Sequence, residues 1–112
     1  MKFVLNVYLN AAAPPGGGLD HGRFLAAAGP SGELVGGHVC ADPSISAVVR
    51  VRDGVVTVAD GPYLPVPEQV ACQYVVDCES RERAVELAAL ISGPIPGGVE
   101  VRPLMDSAGM EM

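Results

Sequence analysis

Tryptophan is absent from this chain, and its 112 residues include only two phenylalanines and three tyrosines. A core without large rings has to be built from Val, Leu, Ile and Ala, which fill space through many close contacts. Cations are scarce as well: seven Lys and Arg stand against 13 Asp and Glu, a formal net charge of -6. Neutralising phosphates needs a basic cluster and none occurs, so nucleic acid is not an expected partner. Cys40, Cys72 and Cys78 are odd in number and lack CxxC spacing, which signals neither a disulfide framework nor a zinc site. The two histidines stand apart from any acidic cluster, so no metal site is expected.

Long apolar runs are missing too. The opening Met1 to Tyr8 is interrupted at Asn6, and Asn10 and Pro14-Pro15-Gly16-Gly17-Gly18 follow, so the segment reads as a strand and a loop, not as a secretory leader. No other run approaches membrane-spanning length. The expectation is a cytoplasmic protein that does not engage a membrane. Gly16-Gly17-Gly18 lacks the Lys-Ser/Thr of a phosphate loop, and no serine sits in a recognisable nucleophile elbow. No cofactor is expected.

What is present reads as one domain over residues 1–112. Residues 2 to 9 alternate around Phe3, Leu5, Val7 and Leu9 as a first strand, and Leu19 to Ala28 form a short helix stopped by Gly29-Pro30. Leu34 to Cys40 is a strand weakened at Gly36-Gly37, where a bulge or a close backbone approach is expected. Residues 45 to 52 and 55 to 59 form a hairpin turned by Asp53-Gly54. Asp60-Gly61-Pro62 ends it, because Pro62 cannot donate to a ladder. Gln69 to Cys78 alternates as a strong strand, with Cys72, Tyr74 and Val76 on one face and Gln73 and Val75 on the other. A second helix runs from Ser80 to Ile91, capped by Ser80 or Glu79 and stopped by Gly93-Pro94, with Glu79 and Arg83 spaced to pair. Residues 98 to 104 supply a last strand.

This order predicts an α+β, ferredoxin-like split βαβ fold: an antiparallel sheet with both helices on one face and an inserted β-hairpin. The opposite face, left bare, would expose a broad apolar surface. Two such sheets placed face to face bury it, so a homodimer is expected.

The strings "VRVRDGVVTVADGPY", "EQVACQYVVD" and "VEVRPLM", in this order, resemble the YCII-related domain family, in particular its DGPF-motif subgroup. The likeness runs from Gly32 to Met105, with Asp60-Gly61-Pro62-Tyr63 standing where the motif has Asp-Gly-Pro-Phe. It implies a ferredoxin-like fold paired as a dimeric α+β barrel. It also implies kinship with muconolactone isomerase and small dehydrochlorinases, in which a histidine and a nearby acid move protons on a small acid or lactone. In YCII-type members that histidine lies on the first helix, ahead of a G-x-L-x-x-G turn. His21 has this place before Gly32-Glu33-Leu34-Val35-Gly36-Gly37. The first helix is shorter here, Gln73 replaces an aromatic before Tyr74, and His38 stands where the subgroup commonly carries an acidic or other polar residue.

Two functions follow from these residues. The first is a cofactor-independent enzyme, a lyase, isomerase or cyclase, that binds an organic acid, lactone or polyketide-like ligand in the cleft between helix and sheet. His38 or His21 is its base, since a neutral imidazole takes protons near neutral pH. Asp60 orients that imidazole, and Tyr63, Gln73, Tyr74 and Arg50 line the pocket, Arg50 as an anion clamp. Each also has a plainer use: Asp60 as a turn residue, the histidines as partly exposed surface groups, the others as sheet residues. The second function is a ligand-sensing or partner-binding regulatory module without turnover. The subgroup resemblance supports it by association, since such genes often neighbour those of alternative sigma factors.

Overall fold

The computed structural model describes residues 1–10, 20–91 and 97–105. Its elements, in chain order, are β1 (Lys2–Asn10), α1 (Gly22–Ala28), β2 (Leu34–Val39), β3 (Ala47–Arg52), β4 (Val55–Asp60), β5 (Glu68–Asp77), α2 (Arg81–Ala88) and β6 (Gly98–Pro103). A four-stranded sheet has the order β2-β5-β1-β6, and β3 and β4 form a separate two-stranded sheet. Every ladder in the larger sheet is antiparallel. Strands β1 and β2, connected through α1, therefore run the same way with β5 between them, and β5 and β6, connected through α2, run the same way with β1 between them. These are two interleaved split βαβ units.

Alternation on β1 decides which face is buried. Phe3, Leu5 and Val7 are 1%, 0% and 2% exposed and meet Phe24 and Ala28 of α1 and Ala84, Leu87 and Ala88 of α2. Alanine at the helix positions lets both short helices lie close to the sheet, which is how a core with so few rings reaches close packing. Each fully buried Phe, Leu or Val contributes roughly 1.5–3 kcal/mol relative to exposure. Both helices are too short to persist alone, so this burial holds them.

Local chemistry fixes the ends. Ser80 caps α2 by accepting a hydrogen bond from the Arg83 N–H at 3.1 Å. The helix closes at Ala88, three residues before the expected Ile91, because Leu90 and Ile91 donate to Leu87 and Ala88 and tighten the chain into a turn. The expected stop at Gly93-Pro94 lies outside the described residues. Arg83 does not pair with Glu79: it reaches across to Glu33, just before β2, in a forked contact with Nη2–Oε1 at 2.9 Å and Nε–Oε2 at 3.0 Å. Planar guanidinium–carboxylate geometry makes this the closer contact, while Nη1 lies 3.7 Å from Glu86 along the helix.

The β3–β4 turn forms at Asp53-Gly54, with φ of 52° and 77°, the left-handed pair that a tight hairpin requires. Ser46 closes the base of this hairpin by accepting from the Gly61 N–H at 2.7 Å. After it, Gln69 Nε2 donates to the carbonyls of Leu64 and Val66 at 2.7 and 2.9 Å, fixing the loop that leads into β5. No helix is long and apolar enough to cross a membrane among the described residues.

Candidate functional site

His21 is the N-cap residue of α1, held there because Asp20 Oδ1 accepts from the Gly22 N–H at 2.8 Å and the His21 carbonyl accepts from the Leu25 N–H at 2.9 Å. Its imidazole makes no cap hydrogen bond. Instead its Nδ1 lies 2.6 Å from the hydroxyl of Tyr74, on β5. The two rings meet edge to face with centroids 5.6 Å apart, and Tyr74 leans on fully buried Phe24 at 4.6 Å. The half-buried histidine is thus clamped between the start of α1 and the helix-facing side of the sheet.

Tyr74 has its place because Gly37 stands opposite it on β2. A Cβ at Gly37 would lie 2.5 Å from Cδ1 of the tyrosine ring, so only glycine lets the ring cover the neighbouring strand. The register shift between Leu34 and Gly36 sets this alignment. A bulge or a close approach is expected at Gly36-Gly37: the register shift falls just before Gly36, and the tyrosine ring closes on Gly37. Burial, with a smaller contribution from neighbouring Cys72, raises the Tyr74 phenol above its ordinary value, so it remains a proton-bearing group. Burial also pushes the Cys72 thiol up to about 11, and Cys78 is raised mainly for the same reason. Neither is a thiolate near neutral pH.

His38 lies elsewhere. It pairs with Gln73 across the β2–β5 ladder, on the sheet face turned away from the helices, and is exposed. From there a polar row crosses the sheet. Gln73 Nε2 donates to Asn6 Oδ1 at 2.7 Å, Asn6 Nδ2 donates to Glu100 Oε1 at 2.9 Å, and Arg102 Nη2 donates to Glu100 Oε2 at 2.9 Å. Hydrogen bonds from Asn6 and then Arg102 hold the Glu100 carboxyl below its usual range. Asn6 is 8% exposed yet fully partnered, as burial of an amide demands.

The remaining candidates sit on or beside the hairpin. Asp60 is the last residue of β4, opposite Ala47, with an exposed side chain. Tyr63 is 69% exposed, and the Arg50 guanidinium lies 5.3 Å from its ring centroid. Tyr74 and His21 are therefore brought together, while Gln73 and His38 share the opposite sheet face. No ion pair joins either histidine to a carboxylate among the described residues. Nothing in the sequence alone singles out Asn6 and Glu100 as one network. The polar break at Asn6 within β1 was visible, but its register opposite Gln73 and Glu100 was not. No His, Cys, Asp and Glu cluster suited to a metal forms among the described residues.

Comparison with known proteins gives a match to the family model described as YCII-related domain over residues 18–108. A stretch of 61 residues is 38% identical to an uncharacterized protein of Rhizobium meliloti (strain 1021), covering 53% of this chain and 49% of that protein. The matched stretch thus spans about half the length of this relative.

Proposed function

Because the chain belongs to the YCII-related domain family, we propose that it binds a small organic acid, lactone or polyketide-like molecule beside α1 and acts on it by proton transfer. The observation that carries this reading is the 2.6 Å contact between His21 Nδ1 and the Tyr74 hydroxyl. With Nδ1–H donating to the phenol oxygen, Nε2 keeps its lone pair and is the base. It takes a proton from the carbon next to a substrate carbonyl, and the electron pair moves into the enolate. Returning that proton to another carbon completes an isomerisation, and loss of a leaving group completes an elimination. In this tautomer Tyr74 orients the ring and accepts from the imidazolium, the orienting role expected of Asp60. Its raised phenol stays neutral throughout.

The same reading pairs two copies through the open sheet face, as a ferredoxin-like dimeric α+β barrel. Val4, Ala71 and Val75 are only half-buried there, and His38, Gln73 and the Asn6–Glu100 row would line the interior between the sheets. The second reading, a partner-binding module without turnover, is favoured by the exposed apolar surface of the β3–β4 hairpin.

Proton exchange into enolisable lactones and short keto acids in D2O, followed by NMR, tests the chemistry. The wild-type chain should accelerate exchange, and His21→Gln should lose about a hundredfold or more. Equal rates for both proteins would remove His21 as the base, and binding without exchange would favour the second reading.

A further inference from the structure

Strand β2 is an edge of the four-stranded sheet, paired with β5 on one side and with no strand on the other among the described residues. Its register decides which amides are free. The Cys40 N–H donates to the Ala71 carbonyl at 2.8 Å, so these two residues form a hydrogen-bonded pair. Pairing with β5 runs without a shift from Gly36 to Val39, and bonded pairs alternate with non-bonded ones. His38 and Gly36 therefore also bond to β5, while Val39 and Gly37 turn their N–H and C=O groups outward. Neither outward N–H meets an acceptor among the described residues.

Gly37 is the outward residue beneath the Tyr74 ring. Cδ1 and Cε1 of that ring lie 2.5 and 2.8 Å from where a Cβ on Gly37 would stand, and the hydroxyl is carried by the ring carbon next to Cε1. That hydroxyl is the one 2.6 Å from His21 Nδ1. The proposed base and the free Gly37 amide thus share one rim of β2. Having no side chain, Gly37 does not shield its own N–H, and the residue is exposed. Val39, two residues on and on the same helix-facing side, is 79% exposed and stands as an apolar wall beside the pair.

We infer that the Gly37 N–H is the oxyanion donor of this site, holding the carbonyl oxygen of a keto acid or lactone whose apolar substituent lies against Val39. The inference rests on the reading of His21 as base. As Nε2 takes the proton from the carbon next to the carbonyl, the C–H electron pair forms the enolate double bond and the carbonyl π pair moves onto oxygen. That oxygen gains its charge at the Gly37 N–H, which keeps its own proton throughout. Return of the proton from Nε2 to carbon restores both partners. An edge amide suits this task because the ladder fixes the strand on its other side, and the amide gives up no protein hydrogen bond to make the new one.

Cys40 makes a full-length test possible, because a synthetic thioester of residues 1–39 ligates to residues 40–112 at that cysteine. Glycolate in place of Gly37 exchanges the N–H for an ester oxygen, keeps the space beneath Tyr74 and removes no ladder donor; only the Gly36 carbonyl becomes a weaker acceptor. Proton exchange into phenylpyruvate and pyruvate in D2O is compared with that of the ligated all-amide chain, with circular dichroism reading the fold. The ester should lower kcat about a hundredfold or more for both acids, with KM changed little. Val39→Asp should raise KM for phenylpyruvate about tenfold and leave pyruvate unaffected. A folded ester chain as fast as the amide chain overturns the inference. Amide NMR of the wild type gives a reading that needs neither turnover nor the ester: phenylpyruvate should move the Gly37 amide proton downfield and leave that of His38, held in the ladder, in place. A Gly37 amide that stays still while the His21 ring signals saturate overturns the donor and leaves the base standing. A shifted Gly37 amide without proton exchange removes His21 as the base and keeps the Gly37 contact. No change at either residue at millimolar phenylpyruvate overturns the inference.

Discussion

Gly37 and Tyr74 face each other across the β2–β5 ladder, and the tyrosine ring occupies the space a side chain at Gly37 would need. The ring thereby reaches over β2, with its hydroxyl at His21. A glycine far from the histidine in sequence thus sets the geometry of the proposed base.

Gly37→Ala should displace the ring and separate its hydroxyl from His21. Overpacking of this kind costs roughly 1–3 kcal/mol. Urea unfolding should show that loss, and imidazole NMR shifts should move toward those of Tyr74→Phe, which removes the same contact without adding volume.

Tyr74→Phe should cost about 0.5–1.5 kcal/mol for the lost hydrogen bond. In the exchange assay it should lower the rate less than His21→Gln does, since it removes the orienting group and leaves the base in place. A Tyr74→Phe variant with the full wild-type rate would show that the contact only anchors α1.

Buried Cys72 should make stability fall at alkaline pH. Its folded value is about 11 against an ordinary 9.0, so the folded state holds the proton more tightly than the unfolded state does. The contribution is intact below pH 9 and is lost as pH rises through 11, about 2–3 kcal/mol in all. Cys72→Ala should flatten this limb of the stability curve. A thiol reagent should modify exposed Cys40 in the native protein, and Cys72 and Cys78 only on unfolding.

Glu33 should govern part of the acid limb. The hydrogen bond from Arg83 is the largest cause holding its carboxyl below 4.5. Its contribution is therefore present above the ordinary carboxylate value and disappears as pH falls through the lowered one. Glu33→Gln should be less stable than wild type near neutral pH, and the difference should shrink on acidification, as measured by thermal unfolding across that range.

Asn6→Ala should raise the Glu100 carboxyl toward its ordinary value, because Asn6 supplies the largest cause of its lowering. Carboxyl carbon NMR titration reads this directly. Arg102→Gln should produce a smaller rise.

By itself the sequence determined the alternating faces of β1 and β5, the Asp53-Gly54 turn and the order of elements, and narrowed the α2 cap to Ser80 or Glu79. Each depends on neighbours in the chain: period-two alternation, a left-handed dipeptide and a hydroxyl three residues before an amide. Only the tertiary structure decided that Tyr74, not Asp60, meets His21, that His38 lies on the opposite sheet face, that Arg83 reaches Glu33, and that Asn6 connects Gln73 to Glu100. Those pairings arise from strand order and register, and a one-residue slip in either would send the same side chains to the other face.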